Sequence, residues 1–261
     1  MNLFFSKWQG TGNDFVLVDD RLGALQGREE ELAHRLCDRH FGIGSDGLIL
    51  VRKPIDVSTE FHMEFLNPDG SRSFCGNGSR CAFAYWSRSL QGGAQGSFTA
   101  IDGRHLGKWE GAEVAISLPD LPLVEMDSLE PGTDFVNTGS PHELVWVPAV
   151  DAVPITEDGP RRRYAPGHGA GGSNINYVQR TDGGIRMRTY ERGVEAETLS
   201  CGSGVVAAAL SAVQRGVAAP PVRVQTRGGR LTVHAYRKGA GYSEVRLVGP
   251  VKEVFTGTME L

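Results

Sequence analysis

The sequence has few cysteines and no long apolar run. Its 261 residues include four cysteines and no Cys-x-x-Cys pair: Cys37, Cys75, Cys81 and Cys201. A disulfide scaffold needs more cysteines than this and a zinc site commonly uses that pair, so both kinds of structure are excluded. No stretch approaches 18 apolar residues, and residues 1–8 lack the basic start and apolar run of a signal peptide. We therefore predict a cytoplasmic protein with free thiols and no membrane partner.

The chain also lacks an excess of basic charge. Its formal net charge is −4, its pI is about 6.0, and its lysines and arginines are scattered along the chain. This distribution argues against a nucleic-acid partner, and the one basic run, Arg161–Arg163, is typical of a solvated face. Nothing in the sequence signals a bound cofactor or metal. We expect a small-molecule ligand.

Two of the cysteines stand in matching contexts. The runs that begin at Cys75 (Cys-Gly-Asn-Gly-Ser) and at Cys201 (Cys-Gly-Ser-Gly-Val) each lead into a stretch with the composition of a helix. The start of a helix collects unpaired backbone N–H groups and the positive end of the helix dipole, which favour a thiolate. Two such cysteines suggest a pair of acid/base groups.

The two cysteines belong to an internal duplication. A glycine turn followed by an apolar strand opens each half, at Gly12 in the first and at Gly139 in the second. The spacing from turn to cysteine is 63 residues between Gly12 and Cys75 and 62 between Gly139 and Cys201. Helices are predicted from Gly78 to about Leu90 and from Gly202 to about Gly216. Short strands are predicted after the first helix at 97–102 and 113–118, and after the second at 222–226, 231–236 and 243–247.

These patterns predict an α+β fold of two pseudo-symmetric lobes, each containing many short strands and one helix that starts at its cysteine. Proline and glycine turns at 120–122 and 130–132 mark the boundary. We place the N-terminal lobe, with Cys75, at 1–120 and the C-terminal lobe, with Cys201, at 133–250. Residues 251–261 are predicted to return to the first lobe.

Two thiols on opposite faces of one ligand suit inversion at a carbon atom. One thiolate would remove a proton from the stereocentre, and the other group, as a thiol, would deliver a proton to the opposite face. Backbone N–H groups at the two helix starts would stabilise the growing charge on the substrate carboxylate. Those groups belong to Gly76, Asn77, Gly202 and Ser203.

Several other polar and cysteine residues also fit ordinary structural roles. Cys37 and Cys81 fit buried, inert positions. Asn67, in Asn-Pro-Asp-Gly, reads as a turn residue, but a polar group also precedes the second cysteine, in Glu191-Arg192-Gly193, so each repeat offers a ligand-facing candidate. Asn13, Asn174 and His142 would be weak candidates outside the duplication.

The motifs taken together resemble those of the diaminopimelate epimerases over essentially the whole chain. They are, in order, Gly-Thr-Gly-Asn-Asp-Phe at 10–15, Asn-Pro-Asp-Gly at 67–70, Cys-Gly-Asn-Gly-Ser-Arg-Cys at 75–81, Glu-Arg-Gly at 191–193 and Cys-Gly-Ser-Gly at 201–204. The resemblance implies two lobes with a barrel-like, mainly antiparallel sheet around a central helix, and a homodimer. It also implies a cofactor-independent enzyme that interconverts LL-2,6-diaminoheptanedioate and its meso form in lysine and peptidoglycan precursor synthesis.

The resemblance assigns roles residue by residue. It makes Cys75 and Cys201 the two acid/base residues and gives Glu191 to the substrate ammonium. It makes His142, together with Glu191, a modulator of thiol acidity. The remaining substrate-binding positions that it implies are Asn13, Asn67, Gly76, Asn77, Asn174, Arg192, Gly202 and Ser203.

The chain departs from the family pattern at two positions. Gly47 stands where many members have glutamine, and Ser140 stands where many have asparagine. Both changes bear on the end of the substrate that distinguishes diaminopimelate from simpler amino acids. An amino-acid racemase of the same architecture, for example one that acts on histidine, is therefore the nearest alternative. A binding protein switched by a reversible Cys75–Cys201 disulfide is a more distant one.

Overall fold

The computed structural model describes residues 2–261 and is dominated by β-structure. Within this range it contains four α-helices, namely α1 Glu29–Cys37, α2 Gly76–Ser89, α3 Ile155–Arg163 and α4 Gly202–Gln214. The strands of the first part of the chain are β1 Asn2–Gly10, β2 Asn13–Asp19, β3 Gly47–Arg52, β4 Phe61–Leu66, β5 Gln95–Ala100, β6 Gly103–Glu110 and β7 Glu113–Ser117. The later strands are β8 Leu121–Pro122, β9 Thr133–Asn137, β10 Pro141–Trp146, β11 Asn174–Thr181, β12 Gly184–Glu191, β13 Ala196–Thr198, β14 Val222–Thr226, β15 Gly229–Lys238, β16 Gly241–Gly249 and β17 Lys252–Glu260.

The chain divides into two compact units. The first comprises the residues through Ser117 together with Gly249–Leu261, and the second comprises Leu118–Val248. No helix among residues 2–261 combines the length and the apolar character that a membrane crossing requires.

The first unit is a mixed sheet that surrounds one helix. Antiparallel pairs β1–β2, β3–β4, β5–β6 and β6–β7 alternate with the parallel pairs β2–β3 and β4–β5, while β17 lies antiparallel to β1. Helix α2 contacts six of these strands. Its residues from Gly76 to Trp86 are buried on every side, as expected of a helix inside a core.

The second unit repeats this order of pairings. The antiparallel pairs are β9–β10, β11–β12, β14–β15 and β15–β16, and the parallel pairs are β10–β11 and β12–β14. Helix α4 precedes β14 as α2 precedes β5, and it too is buried, from Val205 to Ala212. The shared order of strands and helices is the structural form of the duplication in the sequence.

The α+β class predicted from the sequence is confirmed, and each predicted strand overlaps an observed one. Helix α2 begins at Gly76, directly after Cys75, rather than at Gly78. Helix α4 begins at Gly202, as predicted, and ends at Gln214. The earlier start of α2 is explained by Cys75 itself, which acts as the cap of the helix.

Candidate active site

Cys75 occupies the N-cap position of α2. Its backbone is extended (φ −130°, ψ 108°), and its Sγ accepts a hydrogen bond from the Gly78 backbone N–H at 3.3 Å. A side chain in this position normally satisfies one of the unpaired N–H groups of the first helical turn, a role that serine or aspartate usually fills. The sulfur of Cys75 therefore lies at the positive end of the helix, as the sequence predicts.

Two asparagines adjoin this thiol. Asn13 follows the tight turn between β1 and β2, and its Oδ1 lies 3.8 Å from Cys75 Sγ. Asn77 Nδ2 donates to the same Oδ1 at 3.3 Å. Asn13 Nδ2 donates in turn to Asp46 Oδ2 at 2.7 Å. We call Asn13, Asp46, Cys75, Asn77 and Arg80 the Cys75 cluster.

Charged groups behind Asn13 hold this part of the site in place. Burial opposes ionisation of Asp14, but hydrogen bonds from Arg39 and Lys7 outweigh it and lower the pKa of Asp14 to about 2. Burial raises the pKa of Asp46, and the neighbouring Asp14 carboxylate adds to the effect. Arg39 bridges both carboxylates, at 2.9 Å to Asp14 and 2.6 Å to Asp46.

Asn67 lies outside the Cys75 cluster. Its Nδ2 donates to Ser71 Oγ at 3.0 Å and to Ser73 Oγ at 3.2 Å, so it braces the segment that leads into Cys75. The other two cysteines of the first unit are buried. Burial raises the pKa of both the Cys37 and the Cys81 thiols, which fits the structural roles predicted for them.

Cys201 occupies the N-cap position of α4, with the same extended backbone as Cys75 (φ −107°, ψ 111°). Its Sγ lies 3.5 Å from Ser203 Oγ, and Ser203 Oγ lies 3.0 Å from Nε2 of His142. Close packing explains why the Cys-Gly-Ser-Gly motif has glycine at position 204. A Cβ there would lie 2.5 Å from Asn176 Oδ1, so only glycine lets the helix approach this side chain.

His142 is fully buried and neutral near physiological pH. Burial lowers the pKa of His142 to about 3, and the Arg192 cation contributes to the shift. Its Nδ1 faces Asn176 Nδ2 at 3.2 Å, while Asn176 Oδ1 accepts from Thr189 Oγ1 at 3.0 Å. This arrangement makes Nδ1 the acceptor and puts the imidazole hydrogen on Nε2, where it donates to Ser203. The Ser203 hydroxyl hydrogen is then available to Cys201 Sγ.

The remaining predicted residues of the second unit lie beside β12. Asn174 Oδ1 accepts from the Arg192 backbone N–H at 2.9 Å, and Asn174 Nδ2 donates to Ser140 Oγ at 2.8 Å. Glu191 Oε2 accepts from Thr198 Oγ1 at 2.6 Å. Ser140, one of the two departures from the family pattern, is thus a direct partner of a predicted substrate-binding side chain.

Gly47, the other departure, begins β3 next to Asp46. A Cβ at this position would lie 2.3 Å from Phe65 Cε2 and 2.8 Å from Cζ. The Phe65 ring, packed edge-on against Phe15, fills the space that a longer side chain would need. Phe65 therefore packs directly against the Gly47 backbone, where glycine leaves room for its ring.

Sequence reasoning missed four residues that orient the predicted ones. Arg80 and Asp46 complete the Cys75 cluster, Asn176 fixes the tautomer of His142, and Thr198 contacts Glu191. The sequence signal for Arg80 is a charged residue next to the small and apolar stretch 81–86 of α2, whereas Arg88, the other arginine of the helix, lies in its last turn. Within residues 2–261, no group of three or more His, Cys, Asp or Glu side chains is arranged to hold a metal ion.

Comparisons with known proteins bear on the family of this chain. The family model described as diaminopimelate epimerase matches residues 5–99 and 135–253. The diaminopimelate epimerase of Flavobacterium psychrophilum is 38% identical over 97% of this chain and 98% of its own length. That of Aquifex aeolicus is 37% identical over 98% of this chain and 97% of its own.

Solved structures of low sequence identity share the fold. A hydroxyproline epimerase from Agrobacterium vitis superposes with a TM-score of 0.71 at 16% identity, covering 100% of this chain and 93% of that one. A PhzF-family phenazine biosynthesis protein from Bacillus anthracis gives a TM-score of 0.74 at 14% identity and full coverage of both chains. These two matches show the fold, and the family model together with the full-length relatives shows that the chain belongs to the diaminopimelate epimerase family.

Proposed function

We propose that this isomerase interconverts LL-2,6-diaminoheptanedioate and its meso form by a cofactor-independent two-base reaction, with Cys75 and Cys201 as the acid/base pair. One observation carries the proposal. Both cysteines are N-caps of buried helices that occupy the same place in two units with the same order of strand pairings. A duplicated thiol in a duplicated setting suits a reaction that needs one proton-transfer group on each face of a carbon.

The proton balance of the reaction closes without a co-reactant. One cysteine, as the thiolate, removes the proton from Cα and becomes a thiol. The other, as the thiol, gives its proton to the opposite face and becomes a thiolate. The return reaction exchanges these roles. Each positioned acid or base typically contributes about 10² to 10⁴-fold to the rate.

Charge that develops on the substrate carboxylate would be stabilised by the two helix starts. Backbone N–H groups of Gly76 and Asn77 in α2, and of Gly202 and Ser203 in α4, belong to the first turns, where such groups lack intrahelical partners. Donors fixed in advance cost no reorganisation during the reaction.

The polar residues that the family motifs contain are suited to a substrate with charged groups at both ends. We assign Asn13, Asn67, Asn174 and Arg192 to substrate binding and Glu191 to the ammonium group. Asn174 is held through both ends of its amide, by Ser140 and by the Arg192 backbone N–H, so its position is defined in advance. His142 influences Cys201 through the Ser203 hydroxyl. We further propose a cytoplasmic homodimer that serves lysine and peptidoglycan precursor synthesis.

An exchange experiment tests the substrate assignment. Purified protein is incubated in deuterated water with LL-diaminopimelate and, separately, with a panel of L-amino acids that includes histidine. Deuterium at Cα is then followed by mass spectrometry. We expect exchange and conversion to the meso isomer with diaminopimelate only. Exchange confined to the monocarboxylic panel would contradict the substrate assignment and favour a racemase.

A further inference from the structure

Arg80 lies in the core of the first unit, and its charged end contacts the two residues that follow Cys75. It follows Cys75 by five residues on α2, and its side chain is fully buried. Side chains on a helix lean toward its N-terminus, and Arg80 follows this rule. Its Nη1 donates to the Gly76 carbonyl at 3.4 Å, and its Nη2 donates to Asn77 Oδ1 at 3.0 Å and to Thr11 Oγ1 at 3.4 Å. The guanidinium therefore lies at the start of the helix.

This buried cation has no carboxylate partner within residues 2–261, and its Nε is buried without a hydrogen-bond acceptor. Arg163, another buried arginine, pairs with Glu195 at 2.7 Å. An unpaired buried charge is costly, and it is usually retained only where something compensates it. Burial lowers the pKa of Arg80 to about 10, so the side chain still carries its charge near neutral pH.

Three titratable groups favour the charged form of Arg80 electrostatically: Cys81, Cys75 and Glu113. Cys81 is fully buried, and the pKa of its thiol is raised strongly by that burial, so it stays neutral. Glu113, on β7, is partly exposed and makes no ion pair with Arg80. This leaves Cys75, at the start of the same helix, as the group whose negative charge would match the buried cation.

We propose that Arg80 is a positioning residue that supplies a fixed positive charge to the Cys75 cluster, stabilising the thiolate of Cys75 and orienting the Asn77 and Asn13 amides. The inference rests on the proposed two-thiol function. Arginine has only donors, so it fixes Asn77 with Oδ1 toward Arg80 and Nδ2 toward Asn13. Asn13 Oδ1 then accepts from the Cys75 thiol at 3.8 Å.

The arrangement serves both protonation states of Cys75, as a group that alternates between acid and base requires. The thiol form has an acceptor in Asn13 Oδ1. The thiolate form has the Gly78 N–H donor at 3.3 Å and the charge of Arg80. A nearby opposite charge commonly shifts the pKa of an ionisable group by about one to three units.

The test measures the reactivity of Cys75 directly. In a Cys201→Ser background, where the remaining cysteines Cys37 and Cys81 are buried, alkylation of Cys75 by iodoacetamide is followed by mass spectrometry as a function of pH. We compare Arg80→Met, Arg80→Lys and Arg88→Met. Arg88 is exposed on the same helix and stacks on Trp109, so it is a matched control.

We expect Arg80→Met to slow alkylation near pH 7 by about tenfold or more and to shift the profile to higher pH. Arg80→Lys keeps the charge and should remain within about threefold of the parent, as should Arg88→Met. A folded Arg80→Met protein with the parent profile would overturn the inference. Should Arg80→Met fail to fold, Arg80→Lys decides. An alkylation rate of Arg80→Lys within threefold of the parent rate supports a charge role for Arg80. A tenfold loss of that rate at unchanged thermal stability contradicts it.

The alkylation rates involve no substrate. A protein that fails to epimerise diaminopimelate but shows an Arg80-dependent profile would refute the substrate assignment alone. An active protein in which substitution of Arg80 leaves the pH profile of Cys75 alkylation unchanged would refute only this inference. In the active background, Arg80→Met is expected to lower kcat more than it raises KM, because the charge acts on the reacting thiol.

Discussion

Nε2 of the buried His142 lies 3.0 Å from Oγ of Ser203, whose hydroxyl in turn lies 3.5 Å from Sγ of Cys201. The hydrogen bonds of Asn176 fix the imidazole hydrogen on Nε2, so the chain of donors runs from His142 through Ser203 to the sulfur. A thiolate at Cys201 would therefore receive a hydrogen bond from Ser203. His142 and Asn176 set the direction of that hydrogen bond.

Removing this bridge should reduce turnover. Ser203→Ala removes the hydroxyl that lies between His142 Nε2 and Cys201 Sγ. Because hydrogen bonds to charged groups contribute about 1.5–3 kcal/mol, we expect kcat to fall roughly 10- to 100-fold with a small change in KM. Steady-state kinetics provide the measurement.

Ser211→Ala is the matched control for that experiment. Ser211 lies on the same helix and donates to Asp134 Oδ2 at 2.5 Å, inside the second unit. Its loss should lower the melting temperature and leave kcat within about twofold, since Ser211 belongs to a structural network. Equal kcat losses in the two variants would show that Ser203 acts through stability alone.

His142 should make the stability of the protein depend on pH. Its pKa is lowered to about 3 by burial in the folded state, against about 6.5 for an exposed histidine. Between these values the unfolded chain binds one more proton than the folded chain, so stability falls as pH falls from about 6.5 toward about 3. The contribution is about 1.4 kcal/mol per pH unit.

Urea unfolding of the wild type and of His142→Gln between pH 7 and pH 4 measures this slope. The variant should lose the His142 contribution, so the two stability curves converge as pH falls. Parallel curves over that range would show that His142 is not buried in its neutral form.

Much of this structure can be predicted from sequence, for physical reasons that differ from element to element. The strand at 222–226 follows from the alternation of apolar and polar residues along it. The helix after Cys201 follows from an uninterrupted run of small apolar residues. The matched position of the two cysteines follows from spacing. Arg80 and Asn176 could not be assigned in this way, because the fold brings their partners from other elements: Thr11 from the β1–β2 turn for Arg80, and His142 from β10 and Thr189 from β12 for Asn176.

Gly47 illustrates the same limit. The sequence shows that a side chain is missing there, but only the structure shows that the Phe65 ring occupies the space. Gly47→Ala places a Cβ 2.3 Å from that ring, and overpacking of this kind typically costs about 1–3 kcal/mol. We expect a destabilisation in that range by chemical denaturation.

A double variant distinguishes a local clash from a backbone effect. Phe65→Leu creates space beside residue 47, so Gly47→Ala should cost less in the Phe65→Leu background than alone. Additive costs in the double-mutant cycle would contradict a direct conflict between the two side chains.

The central claim is that two thiols act on opposite faces of Cα, and isotope incorporation during the first turnovers in deuterated water tests it most directly. LL-diaminopimelate is converted to a small extent, and deuterium is measured separately in the meso product and in the recovered substrate. The two-base account predicts one deuterium at the inverted carbon of the product and almost none in the recovered substrate, with both Cys75→Ser and Cys201→Ser folded and at least 100-fold slower. Equal deuterium in substrate and product, or near-normal turnover by either variant, would contradict it.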